Sequence, residues 1–199
     1  FEVFRVATTR GVQLDESIYT PLLRMLRNVE AAEVFEHIVS TGTPTPEHLE
    51  AAMRAHTKAR DAPAATALFK RFAEEQFVDV TVISTALFAF GQTRQGEEAL
   101  TLIRRCPLEY NVEPDVRCYN HAIWANTDDL AASEALKEEM ESKGFKPDRQ
   151  TLANIERART TAKTQHTQQS GTKQQLDTTS MPQGGLVSLS KRRRLASLS

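Results

Sequence analysis

Three side chains in the second half of the sequence are of types that bind metal ions, namely Cys106, Cys118 and His121. Thiolate and imidazole groups are common zinc ligands, and only two residues separate Cys118 from His121. A tetrahedral zinc site needs four ligands, however, and the sequence supplies no fourth one at a suitable spacing. We therefore expect no metal site, and we expect both cysteines to pack against neighbouring helices.

Motifs for catalysis are also missing from the sequence. The remaining histidines, His37, His48, His56 and His166, have no nucleophile or carboxylate arranged with them. The chain has no glycine-rich phosphate loop, no Cys-x2-Cys pair and no carboxylate cluster. We therefore predict that the protein is not an enzyme, and that it takes neither a cofactor nor a small-molecule substrate.

Two further features are of kinds that contact nucleic acids. An exposed Trp124 would stack on a base, whereas a partly buried Trp124 would pack between helices, and we expect the partly buried position. The cations near the end of the chain would neutralise phosphates, act as a nuclear address, or simply lie in solvent. These cations are Lys191, Arg192, Arg193 and Arg194.

Charge is divided unevenly along the chain, although the net charge is only −1. Residues 1–159 hold 19 Lys and Arg against 25 Asp and Glu, while residues 160–199 hold 6 against 1. An acidic body is unusual for a protein that binds nucleic acid, which normally presents a basic surface. No run of eighteen apolar residues occurs, so we expect no contact with a membrane interior.

The elements that position these residues follow a repeat. Helix-start signals recur at intervals of 30, 34, 36 and 33 residues, at Asp15, Thr45, Asp79, Asp115 and Asp148. A period of roughly 35 residues is typical of solenoids built from helical hairpins. Within the last unit, Asp115 would cap a first helix, Asp128 or Asp129 a second one, and Gly144 would end it.

We therefore predict that each unit forms two antiparallel helices. In the second helices we expect apolar pairs to be buried, including Val34 with Phe35 and Leu68 with Phe69. In the last unit we expect one side to carry Leu130, Ala131, Ala135, Leu136 and Met140. The fold prediction is an all-α solenoid of about four hairpins, with a half-repeat at residues 1–9 and a final helix near residues 150–159.

The composition changes after Arg159. Residues 160–199 are rich in Thr, Gln, Ser and Gly and hold few large apolar side chains. Such a segment buries too little apolar surface to offset the entropy of ordering. We therefore predict two parts, a repeat array at residues 1–159 and a disordered, basic-ended tail at residues 160–199.

The last unit resembles a pentatricopeptide repeat, the helical hairpin of organellar RNA-binding proteins. The matching elements are Pro114-Asp115-Val116, Tyr119-Asn120, Glu134-Ala135-Leu136, the "EEM" at 138–140, and the stretch from Gly144 to Asp148. The preceding unit matches less closely, and the first two are degenerate. The link "WANTDD" also lacks two residues between the helices, which predicts a shortened helix.

In that family two or three side chains of each repeat read one RNA base. The resemblance assigns this role to Asn120 with Asp148, as a uridine reader, and to Ser84 with Asp115, as a guanosine reader. Weaker candidates are Thr20 with Thr45 and Glu50 with Asp79. The alternative is that Asp79, Asp115 and Asp148 serve only as helix caps, and the acidic balance of the array favours it.

These observations lead to two candidate functions. The first is a non-enzymatic repeat protein of organellar RNA metabolism, mitochondrial by family resemblance. It would bind single-stranded or ribosomal RNA, or serve as a subunit of a mitochondrial ribosome or RNA-processing particle alongside protein subunits. The second is a protein-interaction scaffold that resembles tetratricopeptide arrays and reads no RNA. Because the chain begins at Phe1, we expect any targeting segment to have been removed or to lie outside it.

Overall fold

A computed structural model describes residues 1–179 apart from residues 13, 28, 43 and 74–77, with side chains as far as residue 165 except that of residue 16. Every regular element in these residues is helical. The helices run, in chain order, as α1 Glu2–Thr9, α2 Tyr19–Met25, α3 Val29–Thr41, α4 Pro46–Lys58, α5 Ala62–Phe72, α6 Val80–Thr93, α7 Gly96–Glu109, α8 Val116–Ala125, α9 Leu130–Ser142 and α10 Arg149–Thr179. A single turn of 3-10 helix, Glu16–Ile18, precedes α2.

The helices form the predicted solenoid. Four hairpins follow one another, α2 with α3, α4 with α5, α6 with α7, and α8 with α9. Each first helix also contacts the first helix of the neighbouring hairpin, so that α2, α4, α6 and α8 lie side by side. The single helix α1 packs on α3, where the rings of Phe4 and His37 lie 5.4 Å apart, centre to centre.

Acidic side chains cap several of these helices, as the sequence indicates. Asp115 accepts a hydrogen bond from the Cys118 backbone N–H at 2.9 Å, and Asp129 accepts one from Ala132 at 3.1 Å. Both caps satisfy backbone donors that have no partner within the helix. The predicted end of α9 is confirmed as well, because Gly144 takes a φ of 85° that an L side chain rarely adopts.

The hairpin link of the last unit is short, as predicted. Helix α8 has 10 residues where α6 has 14. The Asn126 side chain holds this link by donating to the carbonyls of Ala122 at 2.9 Å and Gly96 at 3.1 Å. The deletion therefore leaves the two helices paired, with a buried amide in place of the missing turn.

The core prediction is right for most positions and wrong for part of α9. Val34, Phe35 and Phe69 are buried, and Leu68 is partly buried. In α9, Leu136 and Met140 are fully buried, but Ala131 and Ala135 are exposed. The hydroxyl of Ser133 donates to the Asn126 carbonyl at 2.8 Å, which turns the face of Ser133, Leu136 and Met140 toward α8.

The last helix is longer than predicted. The hairpins form one compact unit, Phe1–Ala162, and α10 continues beyond it to Thr179. Gln and Lys are good helix formers, so the backbone remains helical without a regular apolar stripe. The predicted boundary between residues 159 and 160 remains a prediction, and residues 180–199 lie outside the described part of the chain. No helix within the described part is long and apolar enough to cross a membrane.

Candidate functional site

The predicted first-helix reader positions of three hairpins lie between neighbouring first helices. Glu50 on α4, Ser84 on α6 and Asn120 on α8 are 5%, 5% and 3% exposed. Each bonds across to the next first helix, to Thr85, His121 and Thr151 respectively. A fourth residue in the same register, Asn154 on α10, is 5% exposed and donates to the Asn120 carbonyl at 3.2 Å. These side chains form a row of polar contacts between successive helices of the array.

Asn120 and Asp148 are brought into direct contact. The Asn120 Nδ2 donates to the Asp148 Oδ2 at 2.9 Å. On the other side of the amide, the Asn120 Oδ1 accepts from the Thr151 hydroxyl at 2.6 Å. A primary amide has two N–H donors, so one remains for another partner.

Asp148 occupies the accessible side of this pair. Its side chain is exposed and caps α10 by accepting the Thr151 backbone N–H at 2.8 Å. That bond, followed by the contacts from the Asn120 and Thr151 side chains, holds the pKa of Asp148 below its ordinary value. The pair therefore presents an ionised carboxylate to solvent with a buried amide behind it.

Ser84 and Asp115 are engaged separately. The Nδ1–H of His121 donates to the Ser84 carbonyl at 2.9 Å, and the Ser84 hydroxyl lies 3.3 Å from the same nitrogen. Asp115 caps α8 and also accepts from the Arg117 Nε at 3.0 Å. Its pKa is lowered, since the Cys118 N–H and the Arg117 guanidinium together outweigh burial. No hydrogen bond joins Ser84 to Asp115, both of which are described.

The weaker candidates are also engaged locally. Glu50 pairs with Arg54 one turn along α4 and accepts from the Thr85 hydroxyl at 3.4 Å. Asp79 caps α6, where its Oδ1 accepts the backbone N–H of Val82 at 2.8 Å. Nothing in their geometry joins these two carboxylates into a pair.

The candidate pair of the first hairpin, Thr20 with Thr45, is not joined either. Thr20 is half-buried on α2, and Thr45 is exposed and caps α4, with the His48 N–H bonded to its Oγ1 at 3.3 Å. No hydrogen bond between Thr20 and Thr45 is present in this described region. Of the four proposed pairs, the structure thus joins Asn120 and Asp148 directly.

The cysteines are packed in the core. Cys106 and Cys118 are both fully buried, and burial raises the pKa of the Cys106 thiol to about 11 and that of Cys118 further. His121 uses its Nδ1 on the Ser84 carbonyl rather than on a thiol. Within the described residues, no group of His, Cys, Asp and Glu side chains is placed to hold a metal ion. The four cations at 191–194 lie outside the described residues.

Trp124 lies at a repeat interface, as expected. Its six-membered ring lies over Gly91 of α6, where an added Cβ would come within 2.3 Å of the Trp124 Cε3. The Phe88 ring lies 5.3 Å from it, at a 36° tilt. Trp124 is nevertheless only half-buried, so part of the indole is accessible.

Several residues around the predicted positions were not identified from the sequence. Thr151 and Asn154 complete the Asn120 network, and His121 covers Ser84. The available signal was spacing, since Asn154 follows Asn120 by 34 residues, within the range of repeat spacings. Phe88 lies one turn beyond Ser84 and carries no such signal.

Comparison with known proteins provides a fold relationship. No protein-family model and no curated protein sequence matches the chain. Among solved structures, the pentatricopeptide repeat domain of Arabidopsis thaliana protein-only RNase P 1, crystallised with tRNA, matches with a TM-score of 0.62 at 16% identity, over 80% of this chain and 88% of that one. The pentatricopeptide repeat protein PPR10 from maize matches with a TM-score of 0.61 at 21% identity, over 80% of this chain but only 24% of that one.

These identities are low, but the two matches agree on the same architecture. The hairpin period, the side-by-side first helices and the carboxylate caps are each found independently in the described residues. The chain therefore has the fold of these pentatricopeptide repeat structures.

Proposed function

We propose that the chain is a non-enzymatic helical-repeat protein that binds single-stranded RNA along the face formed by its first helices. Support comes from the side-by-side packing of α2, α4, α6 and α8, which makes this face continuous. One structural neighbour is a repeat domain in complex with tRNA. In repeat proteins of this kind, successive helical units can each read one base.

The observation that carries the proposal is the contact between Asn120 and Asp148. Asp148 offers an ionised acceptor at the surface, and the Asn120 Nδ2 holds it from behind at 2.9 Å. An unpaired uracil carries an N–H donor on its edge, which can bond to this carboxylate. Asn120 is 3% exposed, which makes Asp148 the first contact and Asn120 the group that orients it.

The other pairs contribute less to this proposal. Ser84 and Asp115 are separated by their bonds to His121 and Arg117, so guanosine reading by this pair would need both bonds to open. Glu50 is buried and paired with Arg54, and Asp79 is engaged as the cap of α6, so neither carboxylate is free to read a base. We therefore propose that sequence reading is concentrated at the last hairpin.

We further propose that the protein works inside a larger mitochondrial particle, such as a ribosome or RNA-processing assembly. The charges support this arrangement, because residues 1–159 are acidic and residues 160–199 are basic. An acidic array suits contact with basic protein subunits, while the cations at 191–194 suit contact with ribosomal RNA. The location itself is proposed from the resemblance to organellar repeat proteins.

Selection from a pool of short single-stranded RNAs by the full chain, at near-physiological salt, tests direct binding. Asp148→Asn keeps an oxygen for the helix cap but removes the carboxylate charge. We expect enrichment of uridine-containing sequences and loss of that enrichment in Asp148→Asn. A matched control is Asp129→Asn, which makes the same change at the cap of α9, the second helix of the last hairpin.

A second variant separates the array from the tail. Replacing the cations at 191–194 with Gln should weaken binding of every RNA and reduce its salt dependence, while leaving the uridine preference unchanged. Binding that requires these cations and shows no preference would refute base reading by the array.

The protein-interaction scaffold remains a second candidate because of one observation. The end of the array formed by α1 and α2 exposes Val3 at 83% and Met25 at 81%, beside an apolar groove of about 420 Å³. Contiguous apolar surface of this kind is typical of protein contacts. Absence of any salt-dependent RNA affinity in the selection would favour this function over the first.

A further inference from the structure

A half-buried aromatic cluster lies between α6 and α8, beside Ser84. It consists of Phe88 on α6 with His121 and Trp124 on α8, and we refer to it as the aromatic cleft. Ring centres lie 5.3 Å apart for Phe88 and His121, at an angle of 63°, and 5.3 Å apart for Phe88 and Trp124. We propose that the aromatic cleft binds an unpaired nucleobase by stacking, as a subsite additional to Asn120 and Asp148. This inference rests on the proposed RNA binding.

The backbone of α6 is shaped to receive the indole. Gly91 lies in the interior of α6, a position where alanine is ordinarily the better helix former. Here an added methyl group would come within 2.3 Å of the Trp124 Cε3 and 2.7 Å of its Cζ3. The close approach at Gly91 fixes the plane of the indole, so a base stacking on its accessible part would meet a pre-ordered surface.

His121 adds a polar group with a defined role. Its Nδ1 faces the Ser84 carbonyl at 2.9 Å, and because a carbonyl can only accept, the proton is on Nδ1. Burial lowers the pKa of His121, so the ring is neutral near pH 7 and its Nε2 is an acceptor. Among the described residues Nε2 has no hydrogen-bond partner, which leaves it for an N–H of the bound base.

Arginines lie at both ends of the aromatic cleft. Arg117 is one turn before His121 on α8, and its side chain is 59% exposed. Arg94 directly follows the end of α6, is 56% exposed and donates to the Thr127 hydroxyl at 2.7 Å. Arg117 is paired with Asp115 and Arg94 with Asp128, so each guanidinium would exchange its carboxylate for a phosphate. After that exchange, aromatic rings with an arginine on each side match the alternating bases and phosphates of a single strand, which favours RNA over a peptide.

The protein carries its own reporter for this site, because Trp124 is the only tryptophan in the chain. The experiment titrates the full chain with fluorescein-labelled single-stranded RNA of mixed sequence, following RNA anisotropy and Trp124 emission in parallel titrations. We expect Trp124 emission to be quenched with the same midpoint as the rise in anisotropy. Binding should also protect Trp124 from acrylamide.

Phe88→Leu tests the stacking without removing the reporter. Leucine keeps the position apolar, so we expect a folded protein whose RNA affinity falls about ten-fold. The matched control is Phe145→Leu, another half-buried ring, which packs on Tyr119 rather than in the aromatic cleft. This control should bind RNA as the unchanged protein does.

The outcomes separate the two proposals. RNA binding with unchanged Trp124 emission overturns the aromatic cleft as a base site and leaves the proposed RNA binding intact. A failure of RNA to bind at all overturns the proposed function and this inference together. Because the emission measurement on the unchanged chain needs no variant, a folding defect in Phe88→Leu does not affect this test.

Discussion

Replacing Asn120 with Asp changes one atom at the most informative contact of the structure. The amide nitrogen that donates to the Asp148 Oδ2 at 2.9 Å becomes a carboxylate oxygen facing another carboxylate. The bond from the Thr151 hydroxyl to the other side of residue 120 remains possible, so the shape of the site is conserved. The substitution therefore tests the contact itself rather than the packing around it.

The size of the effect follows from this geometry. Two unit charges at this distance repel by about 6 kcal/mol if the effective dielectric constant is about 20. Losing a hydrogen bond to a charged group costs about 1.5–3 kcal/mol in addition. Because Asp148 is exposed and the new carboxyl can take up a proton, we expect a net loss of about 2–4 kcal/mol in the free energy of unfolding at pH 7.5.

The loss should depend on pH in a definite direction. Burial and the neighbouring carboxylate raise the folded-state pKa of the new carboxyl above the unfolded value of about 3.9. Its destabilising effect is therefore absent below about pH 4 and grows as the pH rises toward the folded-state pKa. The pKa of Asp148 is lowered, mainly by the Thr151 N–H, so Asp148 remains ionised at pH 4.5. It can then accept a hydrogen bond from the new carboxyl when that carboxyl is protonated.

Urea unfolding followed by circular dichroism at pH 7.5 and pH 4.5 measures both effects. The control is Asn111→Asp, an exposed position with a φ of 52°, which introduces the same charge without a facing carboxylate. We expect this control to change stability by less than about 0.5 kcal/mol at either pH. An equal loss for Asn120→Asp at both pH values would refute the reasoning.

Two further predictions concern packing in the same hairpins. Gly91→Ala should destabilise the protein by about 1–2 kcal/mol despite the better helix propensity of alanine, because its methyl group collides with Trp124. The control Gly42→Ala, where the nearest atom is 3.7 Å away, should be nearly neutral in thermal unfolding. Cys106 and Cys118 should react with a thiol reagent at pH 8 far more slowly in the native protein than in urea, since burial raises the pKa of both thiols. Rapid native labelling would contradict the packed interface.

The repeat pattern in the sequence was sufficient for the fold. The recurring helix caps and the glycine at position 144 are local signals, because each depends on backbone groups a few residues away. The structure confirms four hairpins with flanking helices at the predicted places. The exposed alanines of α9 were predicted wrongly because Ser133, a polar residue, determines which face turns toward α8.

The candidate site could be predicted only in part. The family resemblance identified four pairs of residues. Their spacing along the chain placed all four pairs at equivalent positions of successive hairpins. Whether the members of a pair meet depends on side chains from a neighbouring hairpin, such as His121 over Ser84 and Arg117 beside Asp115. Sequence spacing contains no information about these competing partners.

The sequence by itself determined the hairpin period, the helix caps and the division of charge between array and tail, since these are properties of adjacent residues or of composition. Only the tertiary structure decided that Asn120 meets Asp148, and that Phe88, His121 and Trp124 share one cleft. Those contacts join residues that are 28 to 36 positions apart. Their distances depend on how closely consecutive first helices pack, and that packing depends on residues such as Gly91 whose role appears only once Trp124 is placed against them.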